Sequence, residues 1–418
     1  MLVFKFGGAS VKDADGIVNL VNVVKRFEGS QILIVVSAMG KTTNALEKLT
    51  KAYVEQSDEL HFIFDDIKKY HYAIIEQLFE PSHPVLDVVA NTFVEIDWII
   101  EDEPHDDFDF IYDQIVSIGE LVSTRIVNAY LNKAGIKSQW IDVRGYVHTD
   151  NTYREGLVQW DKTQISISQD IPGLLKKGTV VTQGFLGGTS ENFTTTLGRE
   201  GSDYTASIFA ACLGADSVTT WKDVPGILNA DPKLFSDTVK FDELSYTEAI
   251  EMTYYGASVI HPKTIKPLQN AKIPLLVKPF TNPDAPGTII KEDGTNSFIK
   301  PVIIVKQNQV LLSISAKDYS FISENHLSDI FSLFAKNQVK INMMQTSALS
   351  FTVCFDLYED HFKKLLTGLN SDFKIKYNNS LSLITLRHYS PASLRELTSG
   401  KTILLEQVSR NTVQLVVK

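Results

Sequence analysis

Four short stretches combine glycine, hydroxyl and charge in a way that suits anions. KFGGAS (5–10) sets Lys5 just before a glycine pair. SAMGKTTN (37–44), GFLGGTS (184–190) and TTTLGREGSDYTA (194–206) repeat the theme. Glycines let backbone N–H groups approach an anion closely, and a lysine adds a point charge. The last stretch places Arg199 and Asp203 four residues apart among glycines and hydroxyls. That arrangement suits an anion held against a backbone turn. Taken singly, each feature has a plainer explanation: a strand-to-helix turn with a solvated lysine, a structural ion pair for Arg199, a helix N-cap for Asp203 before YTASIFAACLG. The G-x-x-x-x-G-K-[ST] loop is absent, and no G-x-G-x-x-G follows a strand, which argues against a P-loop or a dinucleotide fold.

These turns need a scaffold that brings them together. Leu2–Phe6, QILIVVSAMG (31–40), IKSQWIDVRG (136–145), GTVVTQGFLGG (178–188), SVTTWKDVPGI (217–227) and KIPLLVKPF (272–280) read as strands, the last closing the unit. A helix is expected from about Asp13 to Phe27. Strand, turn, helix, strand opens a parallel α/β sheet, whose strand C-termini face one crevice where ligands bind. Residues 47–132 have helical periodicity and are expected to form a lid or flank. TNPDAPGT (281–288) reads as a linker, with a domain boundary near 290–300. Beyond it the pattern is β-α-β-β-α-β followed by an incomplete β-α-β-β, two small ferredoxin-like modules.

The 418 residues exceed one ordinary core. Hydrophobic residues make up 44% and charged residues 22%, as in a globular protein. A net charge of −10 with no basic run argues against nucleic acid or an anionic membrane as partner. Cys212 and Cys354 lie in apolar runs and read as core thiols. MLVFKFGG is too short for a signal peptide, and no run of about 18 apolar residues exists, so a cytoplasmic protein is expected. His261, before Pro262, reads as structural, and the acidic run EDEPHDDFD (101–109) as solvated surface.

KFGGAS, VVSAMGKTTN, GELVS (119–123), GFLGGT, TTTLGREGSDYTA, DVPGILNADP (223–232) and YGASVIHPKT (255–264) occur in the order and spacing of the aspartokinases. The chain is identified by them as a member of that family, within the amino-acid kinase superfamily. The resemblance implies a carbamate-kinase-like three-layer αβα domain over 1–295. It also implies a regulatory region of ACT modules over 300–418: an inserted module of about 309–380, and a truncated second one from 301–307 plus 381–418. The implied reaction is transfer of the ATP γ-phosphoryl group to the L-aspartate β-carboxylate, giving 4-phospho-L-aspartate on the way to lysine, threonine and methionine. A carboxylate nucleophile is already ionised at pH 7, so positioning and charge neutralisation carry the catalysis rather than a general base.

By resemblance, Lys5, Arg199 and Asp203 are catalytic, with Asp203 orienting lysines or Mg²⁺. Lys5, Phe6, Gly7, Gly8, Ser10, Lys222, Asp223, Leu228, Lys233, Ser258 and Val259 face ATP. Ser37, Thr43, Glu120, Arg199 and Ser202 face aspartate, Glu120 pairing with its ammonium and Arg199 with a carboxylate. ATP and Mg²⁺ are the implied cofactors, with no protein side chains assigned to the metal. The chain departs from the family pattern at Ala9, Glu200, Lys222, Leu228, Lys233 and Ser258, so rearranged nucleotide contacts are expected, with Lys222 and Lys263 restoring charge. Asn342, Met343, Gln345, Thr346 and Ser347 are effector candidates for lysine or threonine, and homodimerisation through the ACT modules is expected. A non-catalytic amino-acid sensor, or a kinase of another carboxylate such as glutamate, is the rival reading.

Overall fold

The computed structural model describes residues 1–257, 260–293, 300–318 and 320–418. It divides into two compact units. The first is built mainly from residues before 228. The second contains the C-terminal region together with Leu228–Val239 and Glu251–Ala257.

In the first unit the elements run β1 (Leu2–Phe6), α1 (Ala14–Lys25), β2 (Ile32–Val36), α2 (Thr42–Val54), α3 (Leu60–Leu78), α4 (Val85–Glu101), α5 (Phe108–Lys133), β3 (Ser138–Trp140), α6 (Trp160–Leu175), β4 (Thr179–Gln183), β5 (Leu186–Gly188) and β6 (Thr194–Thr196). They continue with α7 (Gly201–Leu213), β7 (Ser217–Lys222), β8 (Glu243–Ser245), α8 (Tyr246–Tyr254), whose residues from Glu251 on count with the second unit, α9 (Pro262–Ala271), β9 (Leu275–Pro279) and β10 (Thr288–Lys291). Eight strands form one sheet in the order β3-β4-β2-β1-β7-β9-β10-β8. Every pairing is parallel except β9 with β10. β2, sequence ILIVV, is buried at all five positions, as a strand covered on both faces must be. Alternation along β1 sorts its two faces. Phe4 and Phe6 pack with Trp221, and Phe27 and Phe280 join that cluster, whereas Lys5 turns to the other face. The expected αβα sandwich is observed.

Three features differ from the sequence expectation. The strand closing this unit is β10, not β9: TNPDAPGT makes a tight return. A Cβ at Gly287 (φ 72°) would lie 2.2 Å from the Val277 carbonyl oxygen, so only glycine fits. GFLGGTS and the three threonines are not open turns but the paired strands β5 and β6. The helical region is no mere flank either, because α5 buries sixteen residues, including Asp113 and Glu120.

The second unit holds β11 (Val302–Ala316), α10 (Glu324–Lys336), β12 (Ile341–Thr346), β13 (Phe351–Asp356), α11 (Glu359–Asp372), β14 (Phe373–Arg387), α12 (Pro391–Thr398), β15 (Ile403–Val408) and β16 (Thr412–Val417). These strands form an antiparallel sheet ordered β12-β13-β11-β14-β16-β15. The two long strands β11 and β14 run through both halves. Their register shifts between Lys306 and Leu311, where Asn308 (φ 54°) and Ser380 (φ 56°) turn left-handed. One half carries α10 and α11 over Leu312, Ile314, Phe351 and Phe355. The other carries α12 beside Ile384, Val413 and Leu415. A third cluster joins Met343 and Cys354 of one half to Leu381, Leu383 and Val416 of the other.

Candidate active site

The site grows from the C-terminal ends of β4, β2, β1 and β7, four neighbouring parallel strands. Lys5, next to last in β1, is 8% exposed. Its Nζ lies 2.7 Å from Asp203 Oδ1 and 3.5 Å from where a Gly7 Cβ would stand. Lys222, which ends β7, reaches the other oxygen of Asp203 at 3.5 Å. Burial pushes the Asp203 carboxyl up, but Lys5 and then Lys222 outweigh it and hold it below the usual carboxylate range. Asp203 is not the helix N-cap that its sequence context suggests. That place belongs to Glu200, which makes no side-chain cap bond, and Asp203 is the third residue of α7. Glu200 takes a left-handed conformation (φ 55°) that glycine would adopt without cost.

Close backbone approaches bind the turns into one wall. A Cβ at Gly8 would stand 2.7 Å from the Ala38 carbonyl oxygen and 2.9 Å from that of Gly40. One at Gly184 would stand 2.4 Å from Ser202 Cβ. The KFGGAS turn therefore sits directly on SAMGK, and the β4 end directly on the start of α7. Ser10 donates its hydroxyl to the Trp221 carbonyl at 3.3 Å. Phe6 is packed in the aromatic cluster, so only its backbone faces the turn.

GELVS lies in the middle of α5 and clamps the second turn. Gly119 lets the helix approach Thr42, Leu46 and Ala38, and Ser123 donates to the Ser37 carbonyl at 2.7 Å. Glu120 Oε1 accepts from the Ala38 N–H at 3.4 Å. Its Oε2 is buried with no hydrogen-bond partner. Burial pushes this carboxyl up to about 8, against the pull of the Ala38 N–H. A fully buried carboxylate with an orphaned oxygen is costly unless a cation arrives to pair with it. Thr43 stands half-buried in the first turn of α2.

Arg199 is exposed and makes no ion pair among the described residues, which removes the structural-pair explanation. What fixes its loop is a set of residues with no motif of their own. Asp113, one turn into α5, accepts from Thr196 N–H at 2.9 Å, the Thr196 hydroxyl at 2.8 Å and Arg154 N–H at 2.8 Å. Burial nevertheless pushes it up to about 6. Gln114 pairs with Thr194 through both its amide groups. Tyr70 of α3 donates to the Lys12 carbonyl and sits where a Gly40 Cβ would go. Buried His71 approaches the Thr42 hydroxyl at 3.4 Å, and burial pushes it down to about 4. The available sequence signal was the spacing of acids at 113 and 120, two turns apart on an otherwise apolar helix.

With this geometry, the comparisons with known proteins are decisive. The sequence model of the Amino acid kinase family matches residues 1–279. Lysine-sensitive aspartokinase 3 of Escherichia coli is 32% identical over 396 residues, spanning 92% of this chain and 86% of its own. The chain belongs to the aspartokinases. Crystal structures of E. coli aspartokinase III superpose over all of this chain and 96% of theirs at 27% identity. The complex with aspartate and ADP gives a TM-score of 0.84, and that with lysine and aspartate gives 0.83.

Within this aspartokinase, the expected site residues fall into two groups. Lys5, Gly7, Gly8, Ser10, Ser37, Thr43, Glu120, Ser202, Asp203 and Lys222 lie on the joined turns and helix starts just described, with Arg199 at the end of the same wall. Asp223 follows β7 and is exposed. Leu228 and exposed Lys233 belong to a segment that packs with the second unit, and Ser258 and Val259 lie outside the described residues. The effector candidates also divide. Asn342 is bound internally by Lys306, Gln309 and Asp356, and Met343 is core. Gln345, Thr346 and Ser347 are exposed at the end of β12. His261 caps α9 by accepting from Lys263 N–H, a structural role. No described helix is long and apolar enough to cross a membrane.

Proposed function

We propose that this aspartokinase transfers the γ-phosphoryl group of ATP to the β-carboxylate of L-aspartate, giving 4-phospho-L-aspartate for lysine, threonine and methionine synthesis. The orphaned oxygen of Glu120 carries the reading: burial raises this carboxyl to about 8 in the ligand-free protein, a cation arriving beside it would favour its ionised form, and the substrate ammonium is that cation. Unpaired Arg199 offers a planar fork to a substrate carboxylate. Lys5, with the glycine turn beneath it, faces the phosphates, and Asp203 holds its ammonium in place. No residue needs to remove a proton, since the attacking carboxylate is already ionised. Among the described residues no three His, Cys, Asp or Glu side chains gather as a metal cage. The arrangement fits Mg²⁺ carried on the ATP phosphates, where it neutralises their charge.

Leu228, Lys233, Ser258 and Val259 are proposed on motif position alone to meet the nucleotide. The effector site is proposed at the exposed Gln345–Ser347 end of the inserted module. The lysine-bound relative makes lysine the first effector to test there, with homodimerisation through these modules. Trapping the acyl phosphate with hydroxylamine, using ATP, Mg²⁺ and either L-aspartate or L-glutamate, tests the reaction. Hydroxamate from aspartate alone is expected. No product, with lysine or threonine still binding, would mean a sensor instead.

A further inference from the structure

Asp203 offers one negative charge to two ammonium groups. It is 3% exposed, and its oxygens are divided between Lys5 at 2.7 Å and Lys222 at 3.5 Å. Lys222 ends β7 and Lys5 is next to last in the neighbouring parallel strand β1, with Phe6 opposite Trp221 in the register. They therefore converge on the carboxylate from β1 and β7. Two ammonium groups thus gather at one carboxylate, a place suited to an anionic group. The start of α7, where Asp203 is the third residue, adds further positive potential. Motif position puts Lys222 among the nucleotide contacts, whereas the geometry puts it beside Lys5.

We propose that Lys222 is a second catalytic ammonium, which together with Lys5 holds the phosphoryl group during its transfer, Asp203 being the positioning residue that spaces the two. This rests on the kinase reading above. As a β-carboxylate oxygen of aspartate bonds to the γ-phosphorus, the bond from that phosphorus to the β,γ-bridging oxygen breaks. ADP leaves with the electron pair, and no proton moves. The two ammonium groups neutralise charge on the non-bridging oxygens, a role realised mainly in the transition state. Holding two cations on one carboxylate presets their separation before ATP arrives, so little reorganisation accompanies the reaction. Burial works against the ionised form of Asp203, and the flanking lysines outweigh it and hold the carboxyl below the usual range.

The test separates kcat from nucleotide affinity. Lys222→Met should lower kcat by about 10²–10³-fold, while the ATP dissociation constant, from equilibrium binding, changes by less than about threefold. Lys222→Cys should be equally slow and should regain activity after treatment with 2-bromoethylamine, which rebuilds an ammonium on the sulfur. The native thiols do not interfere: Cys212 and Cys354 are buried, and burial pushes them up to about 11 and about 12. Rescue also shows that the unmodified variant was folded. Unchanged kcat in Lys222→Met, or intact kcat with weakened ATP binding, would overturn the proposal, as would failure of the alkylated protein to recover while still binding ATP. Loss of the kinase reading itself would look different, because the parent protein would then make no acyl phosphate.

Discussion

In the proposed complex Glu120, a buried carboxyl, and Arg199, an exposed guanidinium, divide the recognition of the aspartate zwitterion. Glu120→Gln keeps the shape and removes the charge. It should raise KM for aspartate roughly 10–100-fold, the range for a charge-assisted bond. The pH dependence has a definite sign. In the empty protein Glu120 titrates at about 8, and pairing with an ammonium requires its ionised form. Aspartate affinity should therefore improve as pH rises through about 8, and Glu120→Gln should lose that slope. Stability runs the opposite way. A carboxyl raised from 4.5 to about 8 on folding contributes fully below about pH 4.5, and the contribution is lost as pH rises toward 8. Thermal melts of the ligand-free Gln variant and its parent should coincide near pH 4.5. Their separation should grow to several degrees at pH 8, in favour of the variant, and shrink when aspartate is added.

At the level of elements, the site depends on how closely α5 and α7 approach the strand ends. Gly184→Ala places a methyl 2.4 Å from Ser202 Cβ and 2.6 Å from its Cα. The start of α7 must retreat, carrying Asp203 off Lys5. Activity should drop at least about 100-fold, since misplacement of about 1 Å costs that much, and circular dichroism should show the helices retained. Asp113→Asn tests the loop anchor. An amide has one acceptor oxygen and cannot satisfy the three donors converging from Thr196 and Arg154. A loss of about 1–3 kcal/mol in urea unfolding is expected, with KM for aspartate raised through Arg199 and ATP affinity unchanged. Equal stability of variant and parent would show that the anchor is not needed.

On the scale of the whole chain, the two units are interleaved in sequence. Asn229 is buried; it donates to the Pro301 carbonyl and its own carbonyl accepts from Ile303 N–H. Glu251 pairs with Arg387 at 2.8 Å. A fragment ending at residue 293 keeps every motif before the boundary and strips these partners from Leu228–Val239 and Glu251–Ala257. It should melt well below the full chain and lose most of its kinase activity. A fragment with full activity and an unchanged melting temperature would show that the segments hold their structure unaided.

Much of this was legible in the residues. β1, β2 and β7 announce themselves by apolar, β-branched runs closed by glycine or charge. The turns after them carry the lysines and hydroxyls, because local propensity and local chemistry coincide there. The pairing of TTT with GFLGG was not legible, nor was the hairpin at β10, since both depend on partners distant in sequence. Asp113, Gln114 and Tyr70 have no motif, because their work is to bond backbone atoms 41 to 83 residues away and any donor or acceptor of the right reach would serve. Asp203 shows the division most clearly. Sequence by itself determined that an ionisable group stands at the start of a helix among glycines. The family resemblance supplied an aspartate that orients lysines; only the tertiary structure decided that it is no cap and that Lys5 and Lys222 are the lysines it joins, because strand order, which local sequence does not encode, brings β1 and β7 side by side.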